Sequence, residues 1–192
     1  MAEASRQARI LVLYHTDAGN TRLMADLVVE GAAGVPETDV RPRGVDEATA
    51  DDLLWCDGMA VGSPTYMGTV SWQMKRFWDV TAQTLWPKTE GKFGCAFSSS
   101  GGVAGGGELT CVSILTIPMN YGMFTFGIPN DVAPGRTLHY GAVCAGRRAT
   151  KPTVRPADAS AGAWPSGSRR SSWGDPSSRR SPSPMTAGPE AA

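Results

Sequence analysis

The residues with the strongest chemical signal lie in three short stretches rich in Gly, Ser and Thr. The first, His15-Thr16-Asp17-Ala18-Gly19-Asn20-Thr21, separates an apolar run, Ile10–Tyr14, from a helical pattern carrying Leu23, Leu27 and Val28 on one side. A polar loop feeding the start of a helix suits a phosphate, because exposed backbone N–H groups and the helix dipole both favour an anion there. Gly19 allows close approach of the ligand, and Thr16 and Thr21 can donate side-chain hydrogen bonds. The loop holds no Lys or Arg, so dipoles and neutral donors would do the holding. A plain βα turn capped by Asn or Thr is the alternative. Both G-x-G-x-x-G and G-x-x-x-x-G-K-[ST] are absent, so the pattern is neither a dinucleotide fingerprint nor a P-loop, and a mononucleotide is expected.

The second stretch, Ser63-Pro64-Thr65-Tyr66-Met67-Gly68, follows the apolar run Gly58–Gly62. The third, Ser98-Ser99-Ser100-Gly101-Gly102-Val103-Ala104-Gly105-Gly106-Gly107, follows Lys92–Phe97. Each loop thus sits after a predicted strand and before a predicted helix. In doubly wound sheets ligands bind outside the carboxyl ends of the strands, so three such loops predict one composite site.

The elements that must position these loops alternate. Helices are expected from the first loop to Gly31–Gly34, over Thr49–Leu54, from Val70 to Leu85 and from Glu108 to Met119. Weaker strands are expected at Thr38–Arg41, Met123–Phe126 and Gly141–Ala145. Alternation of this kind predicts an α/β fold, a parallel sheet covered on both faces.

At 192 residues the chain is long enough for one domain with a real core. Lys+Arg and Asp+Glu balance at 18 each, which gives no electrostatic case for nucleic acid or a membrane surface. No apolar run reaches the length of a membrane span, and Met1–Gln7 has no secretory character. Four scattered cysteines and two distant histidines predict no metal centre, and the default location is the cytoplasm.

Taken in order, TDAGNT, GSPTYMG and FSSSGG resemble the FMN-contacting loops of flavodoxin-like, WrbA-type NAD(P)H:quinone oxidoreductases. The run of PTYMG, a Gln-Met-Lys-Arg-Phe helix, Trp86, Gly91-Lys92, FSSSGG and Gly105-Gly106-Gly107-Glu108 is the most specific part, and the match spans Ile10 to Gly146. The resemblance implies a doubly wound parallel sheet in the order 2-1-3-4-5, with FMN as cofactor. It implies that Thr16, Asp17, Ala18, Gly19, Asn20 and Thr21 hold the phosphate. Pro64, Thr65, Tyr66 and Met67 would line the isoalloxazine, with backbone groups of the last three facing its polar edge. Ser99, Ser100, Gly101 and Gly102 would border the flavin and ribityl chain. Trp86 corresponds to an aromatic that helps wall the pocket where nicotinamide and quinone bind in turn, or else simply packs on the core. Tyr121 replaces the family's histidine before a Gly-Met pair, and cannot carry a positive charge at neutral pH. The segment between the second and third strands also lacks an insertion.

The implied activity is two-electron transfer from NAD(P)H to a quinone, with no dedicated catalytic side chain; Tyr121 and His139 are the candidates to watch. A flavodoxin-type electron carrier is the alternative, although such carriers are usually strongly acidic. A homo-oligomer is expected if the last helix is present.

That condition matters, because the sequence changes character at Arg147. The expected domain is 8–146, and 147–192 reads as a disordered tail without a single Leu, Ile or Phe. The helix that should follow the last strand is missing from the written sequence. Reading the codons one base out of register restores one: Trp164, encoded only by TGG, forces Leu, Met or Val, and Ser160, if TCN, forces another apolar residue. With permitted codons, 148–167 becomes RDEADREACRRLGRRLAEW, apolar at helical spacing. A frameshift just after Gly146 is the reading this supports; a natural Ser-Arg-rich interaction tail is the alternative. Losing the helix would uncover several hundred Å² of apolar sheet, at a cost on the order of 10 kcal/mol at about 25 cal/mol per Å². A non-functional product with an intact site is therefore a third reading.

Overall fold

The first strand, β1 (Ala8–Tyr14), carries Leu11, Val12 and Leu13 at full burial, so both of its faces are covered. The computed structural model describes residues 7–129 and 138–146. After β1 come α1 (Asn20–Ala33), β2 (Thr38–Gly44), α2 (Ala50–Trp55), β3 (Gly58–Pro64), α3 (Trp72–Leu85), β4 (Phe93–Ser100), α4 (Gly107–Asn120), β5 (Phe124–Thr125) and β6 (Ala142–Ala145). The strands are parallel throughout and lie in the order β2-β1-β3-β4-β5. This is the expected doubly wound sheet, with its switch point between β1 and β3.

Two differences from the sequence expectation bear on the site. The strands β3 and β4 run further than their apolar stretches, through Ser63-Pro64 and Ser98-Ser99-Ser100, because each continues in register with its neighbour: Ser63 against Ser98, Pro64 against Ser99. Hydroxyl residues expected in loops are thus fixed on strands. The edge of the sheet is also divided. β5 pairs with the start of β4, at Phe93 and Gly94, while β6 pairs with its end, at Phe97–Ser100.

Packing on the two faces is unequal. Leu11, Leu13, Met59 and Val61 pack with Leu53 of α2, with Met74, Phe77 and Trp78 of α3, and with Cys111 and Ile114 of α4. Val12, Ala60 and Phe97 pack on the other face with Met24, Ala25, Val28 and Val29 of α1. The short α2 is anchored by a capping box: Thr49 precedes it, and Asp52 accepts from the Thr49 N–H (3.0 Å) and hydroxyl (3.1 Å). Asp52 also pairs with Arg41 (3.0 Å) and Arg43 (3.3 Å) of β2. Arg41 in turn stacks 3.9 Å over the ring of Trp55. The tail 147–192, and with it the expected frameshift and missing helix, lies outside the described residues.

Candidate functional site

The first loop is shaped by its own short-range chemistry. Gly19 stands before α1 at φ 85°, a left-handed conformation that glycine adopts without strain, and its N–H donates to Thr16 Oγ1 (3.0 Å). Among the described residues no side chain caps α1, which leaves its first-turn N–H groups to an anion. Asp17 is the one acidic residue of this loop. Its carboxylate is drawn aside: His15 Nε2 stands 3.4 Å from one oxygen and the Tyr66 hydroxyl donates to the other. That bond, together with burial and the nearby negative charge, raises the Tyr66 hydroxyl above its ordinary value. His15 itself is buried, with Nδ1 lacking a partner among the described residues.

The second loop is a tight turn. Tyr66 and Thr69 exchange backbone hydrogen bonds (3.0 and 3.1 Å) around Met67 (φ 48°) and Gly68 (φ 82°), which pushes Met67 fully into solvent. The Thr65 N–H donates to Ser99 O (2.7 Å) and that of Tyr66 to Thr69 O, so neither amide is free to face a flavin edge as expected from the sequence. The reason is the longer β3, whose ladder consumes the Thr65 donor.

The three loops are tied by hydroxyls. Thr21 and Ser99 share a buried hydrogen bond (2.9 Å) between α1 and β4. Thr65 bonds Ser98 (3.0 Å) and accepts from Thr110 of α4 (3.0 Å). Ser63 accepts from the Ser71 N–H (2.9 Å), and Ser71 caps α3 by accepting from the Met74 N–H (3.3 Å). Ser98 was visible as part of a serine run, but Thr110 had no signal in the sequence, since only the packing of α4 against β3 makes it a neighbour of Thr65.

A cavity of about 180 Å³ opens between these loops, lined by Thr16, Asp17, Ala18, Asn20, Thr21, Pro64, Thr65, Tyr66, Ser99, Ser100 and Gly101. Gly19, Met67 and Gly102 adjoin lining residues in the chain but do not themselves line it. Its lining is neutral apart from Asp17, which is already partnered. Hydroxyls, a helix N-terminus and a Gly-rich flank fit a phosphorylated, largely uncharged ring ligand better than a strongly anionic one.

Two further expected residues lie far from this cavity within one chain. Trp86 caps the far end of α3, and Tyr121 the far end of α4, at the amino edge of the sheet. Each helix has 14 residues, which puts them about 20 Å along the helix axis from the loops. Tyr121 is buried against Trp78 and Trp86, and its hydroxyl donates to Trp78 O (3.0 Å). Burial first, then Asp79, raises that hydroxyl's pKa. His139 lies between α4 and β6 in the chain and is likewise absent from the cavity lining.

Comparison with known proteins agrees with this geometry. The family model described as NADPH-dependent FMN reductase matches residues 9–129. A flavodoxin of Aquifex aeolicus is 56% identical over 138 residues, covering 72% of this chain and 75% of that protein. An NAD(P)H dehydrogenase (quinone) of Chromohalobacter salexigens is 34% identical, covering 64% of this chain and 72% of that protein. Among solved structures, a WrbA-like flavodoxin protein of Agrobacterium tumefaciens matches with a TM-score of 0.54 at 26% identity, over 62% of this chain and 76% of that one. With its 2-1-3-4-5 sheet and a family match running from β1 past β5, the chain belongs to the flavodoxin-like NADPH-dependent FMN reductase family, whose members bind FMN.

Proposed function

We propose that the chain is an FMN-dependent oxidoreductase that passes two electrons from NAD(P)H to a quinone. The uncapped N-terminus of α1, with Thr16, Gly19, Asn20 and Thr21 around it, holds the FMN phosphate. Thr65, Tyr66 and Met67 border the flavin ring on one side, and Ser99, Ser100, Gly101 and Gly102 on the other. The chemistry that bound FMN supplies is two-electron acceptance from NAD(P)H and return to a quinone. The chain's residues contribute position: the Thr21–Ser99 and Thr65–Ser98 bonds hold the phosphate and ring loops at one spacing.

The observation that carries the enzymatic reading is the third loop. Between β4 and α4 its residues are Gly101, Gly102, Val103, Ala104, Gly105 and Gly106, none of them aromatic. Such a flank leaves a ring face open to a second planar molecule, nicotinamide and then quinone. A second reading, a single-electron carrier of the flavodoxin kind, is favoured by the 56% identity to the Aquifex protein. The proposed domain is 8–146.

The test has two stages. Titration of the full chain with FMN, followed by quenching of flavin fluorescence, should saturate in the micromolar range or tighter. The loaded protein should then consume NAD(P)H steadily with benzoquinone. Tight FMN binding with no turnover unless a partner reductase is added would replace the enzyme with a carrier.

A further inference from the structure

A second cavity, of about 370 Å³, opens where the carboxyl ends of β1 and β2 meet α1. That volume falls within the range of small-molecule sites, about 300–1,000 Å³. Thr16 lines both this cavity and the one between the three loops, so the two adjoin at the first loop.

Their walls differ. Tyr14, Pro42 and Val45 give this one apolar surface, while Arg22 and Asp26, one turn apart on α1, and Asp46 and Glu47, in the turn after β2, give it charge. That turn is fixed to the sheet: the Val45 N–H donates to Tyr14 O (2.9 Å), and the N–H groups of Glu47 and Ala48 both donate to Gly44 O (3.0 and 2.9 Å). None of the four charged side chains has a hydrogen bond or ion pair among the described residues. His15 is an independent sign of a ligand. It is 4% exposed and lines this cavity but not the first, and with Nε2 beside Asp17 its Nδ1 is left without a partner among the described residues. A buried polar atom left unpaired is costly, and a polar ligand here would satisfy it.

The lining selects the ligand's chemistry. Three carboxylates against one guanidinium oppose a polyanion. Among the described residues no group of His, Cys, Asp or Glu is placed to hold a metal ion, which removes a bare cation. Adjacent carboxylates suit the paired hydroxyls of a ribose, Arg22 suits one phosphate, and the apolar wall suits a base. Position agrees. On the function proposed above, on which this point rests, a flavin phosphate lies at the N-terminus of α1, and a group esterified to it passes Thr16 into this cavity.

We infer that the second cavity binds the nucleoside 5′-phosphate half of a dinucleotide, with ribose hydroxyls on Asp46 and Glu47 and the phosphate on Arg22. That half belongs to FAD or to NADH. NADPH is disfavoured, because its additional ribose phosphate would face Asp26, Asp46 and Glu47.

The experiment titrates the full chain calorimetrically with AMP, with and without saturating FMN. One site is expected in both cases. AMP should bind at least tenfold tighter than adenosine, a preference that Arg22→Ala abolishes. Asp46→Ala combined with Glu47→Ala should weaken AMP at least tenfold and leave FMN affinity unchanged. FAD binding at least tenfold tighter than FMN, with the advantage lost in the double variant, assigns the half to the flavin. Equal affinities, with NADH but not NADPH displacing AMP from the FMN-loaded chain, assign it to the nicotinamide. Absence of AMP binding, or AMP binding that these substitutions leave unchanged, would overturn the inference. AMP binding without FMN binding would instead remove the phosphate site at α1 and leave this one standing.

Discussion

Gly62→Ala would put a methyl group where the ring of Phe97 already stands. A Cβ built on Gly62 lies 2.1 Å from two ring carbons of Phe97 and 2.7 Å from a third. Ordinary carbon contacts need about 3.5 Å or more, so the ring or the strand must move by more than about 1 Å. The ring cannot simply swing aside, since Phe97 is 2% exposed and packed among Val12, Met24, Ala25 and Ala60. Overpacking of this kind costs about 1–3 kcal/mol, and the closeness of these contacts argues for the upper end. The strain falls beside the candidate site, because Gly62 O accepts from the His15 N–H (3.0 Å) at the root of the first loop, and Ser63, Pro64 and Thr65 follow directly. Gly62→Ala should therefore lower the urea unfolding free energy by about 3 kcal/mol and weaken FMN binding about tenfold. Phe97→Leu alone should cost about 1 kcal/mol, and in the Gly62→Ala background it should restore both stability and affinity. A double-mutant cycle reads this directly. Additive costs, within about 0.5 kcal/mol, would refute the clash as the cause.

Two further outcomes follow from the electrostatics. Asp52 is opposed by burial, but the Thr49 amide, Arg41, the Thr49 hydroxyl and Arg43 outweigh it and hold its carboxyl below the usual range; Asp52→Asn should cost about 2 kcal/mol at pH 7 by urea denaturation. Because the folded-state value is lowered, that stability is present above about pH 4 and disappears as pH falls through the folded value, so wild type and variant should converge once pH is below it. Convergence at pH 7 instead would remove the ion pairs from the account. Tyr66 should ionise above the ordinary tyrosine value in a spectrophotometric titration, and Asp17→Asn should bring it back down, since the carboxylate that accepts its proton is gone. An unmoved titration curve would mean that the Asp17–Tyr66 bond does not persist in solution.

Much of this molecule is legible without coordinates. Apolar runs such as Ile10–Tyr14 and the helical spacing of Met74, Phe77, Trp78 and Leu85 specify which elements form, because burial depends on local periodicity that the chain carries in itself. The three loops are legible for the same reason: Gly, Ser and Thr at a strand end have few other uses. What the sequence could not settle depends on pairing between distant segments. Ser98, Ser99 and Ser100 look like loop residues, yet they sit on β4 because β3 and β6 supply partners for their backbone. The same ladder takes the Thr65 amide out of the site. Thr110 enters through helix packing alone, and Trp86 and Tyr121 leave because a helix carries them about 20 Å away. The residue types gathered at the candidate site were set by the sequence; which donors remain free, and which side chains meet, were decided by the tertiary structure, since a hydrogen bond satisfied across the sheet is no longer available to a ligand.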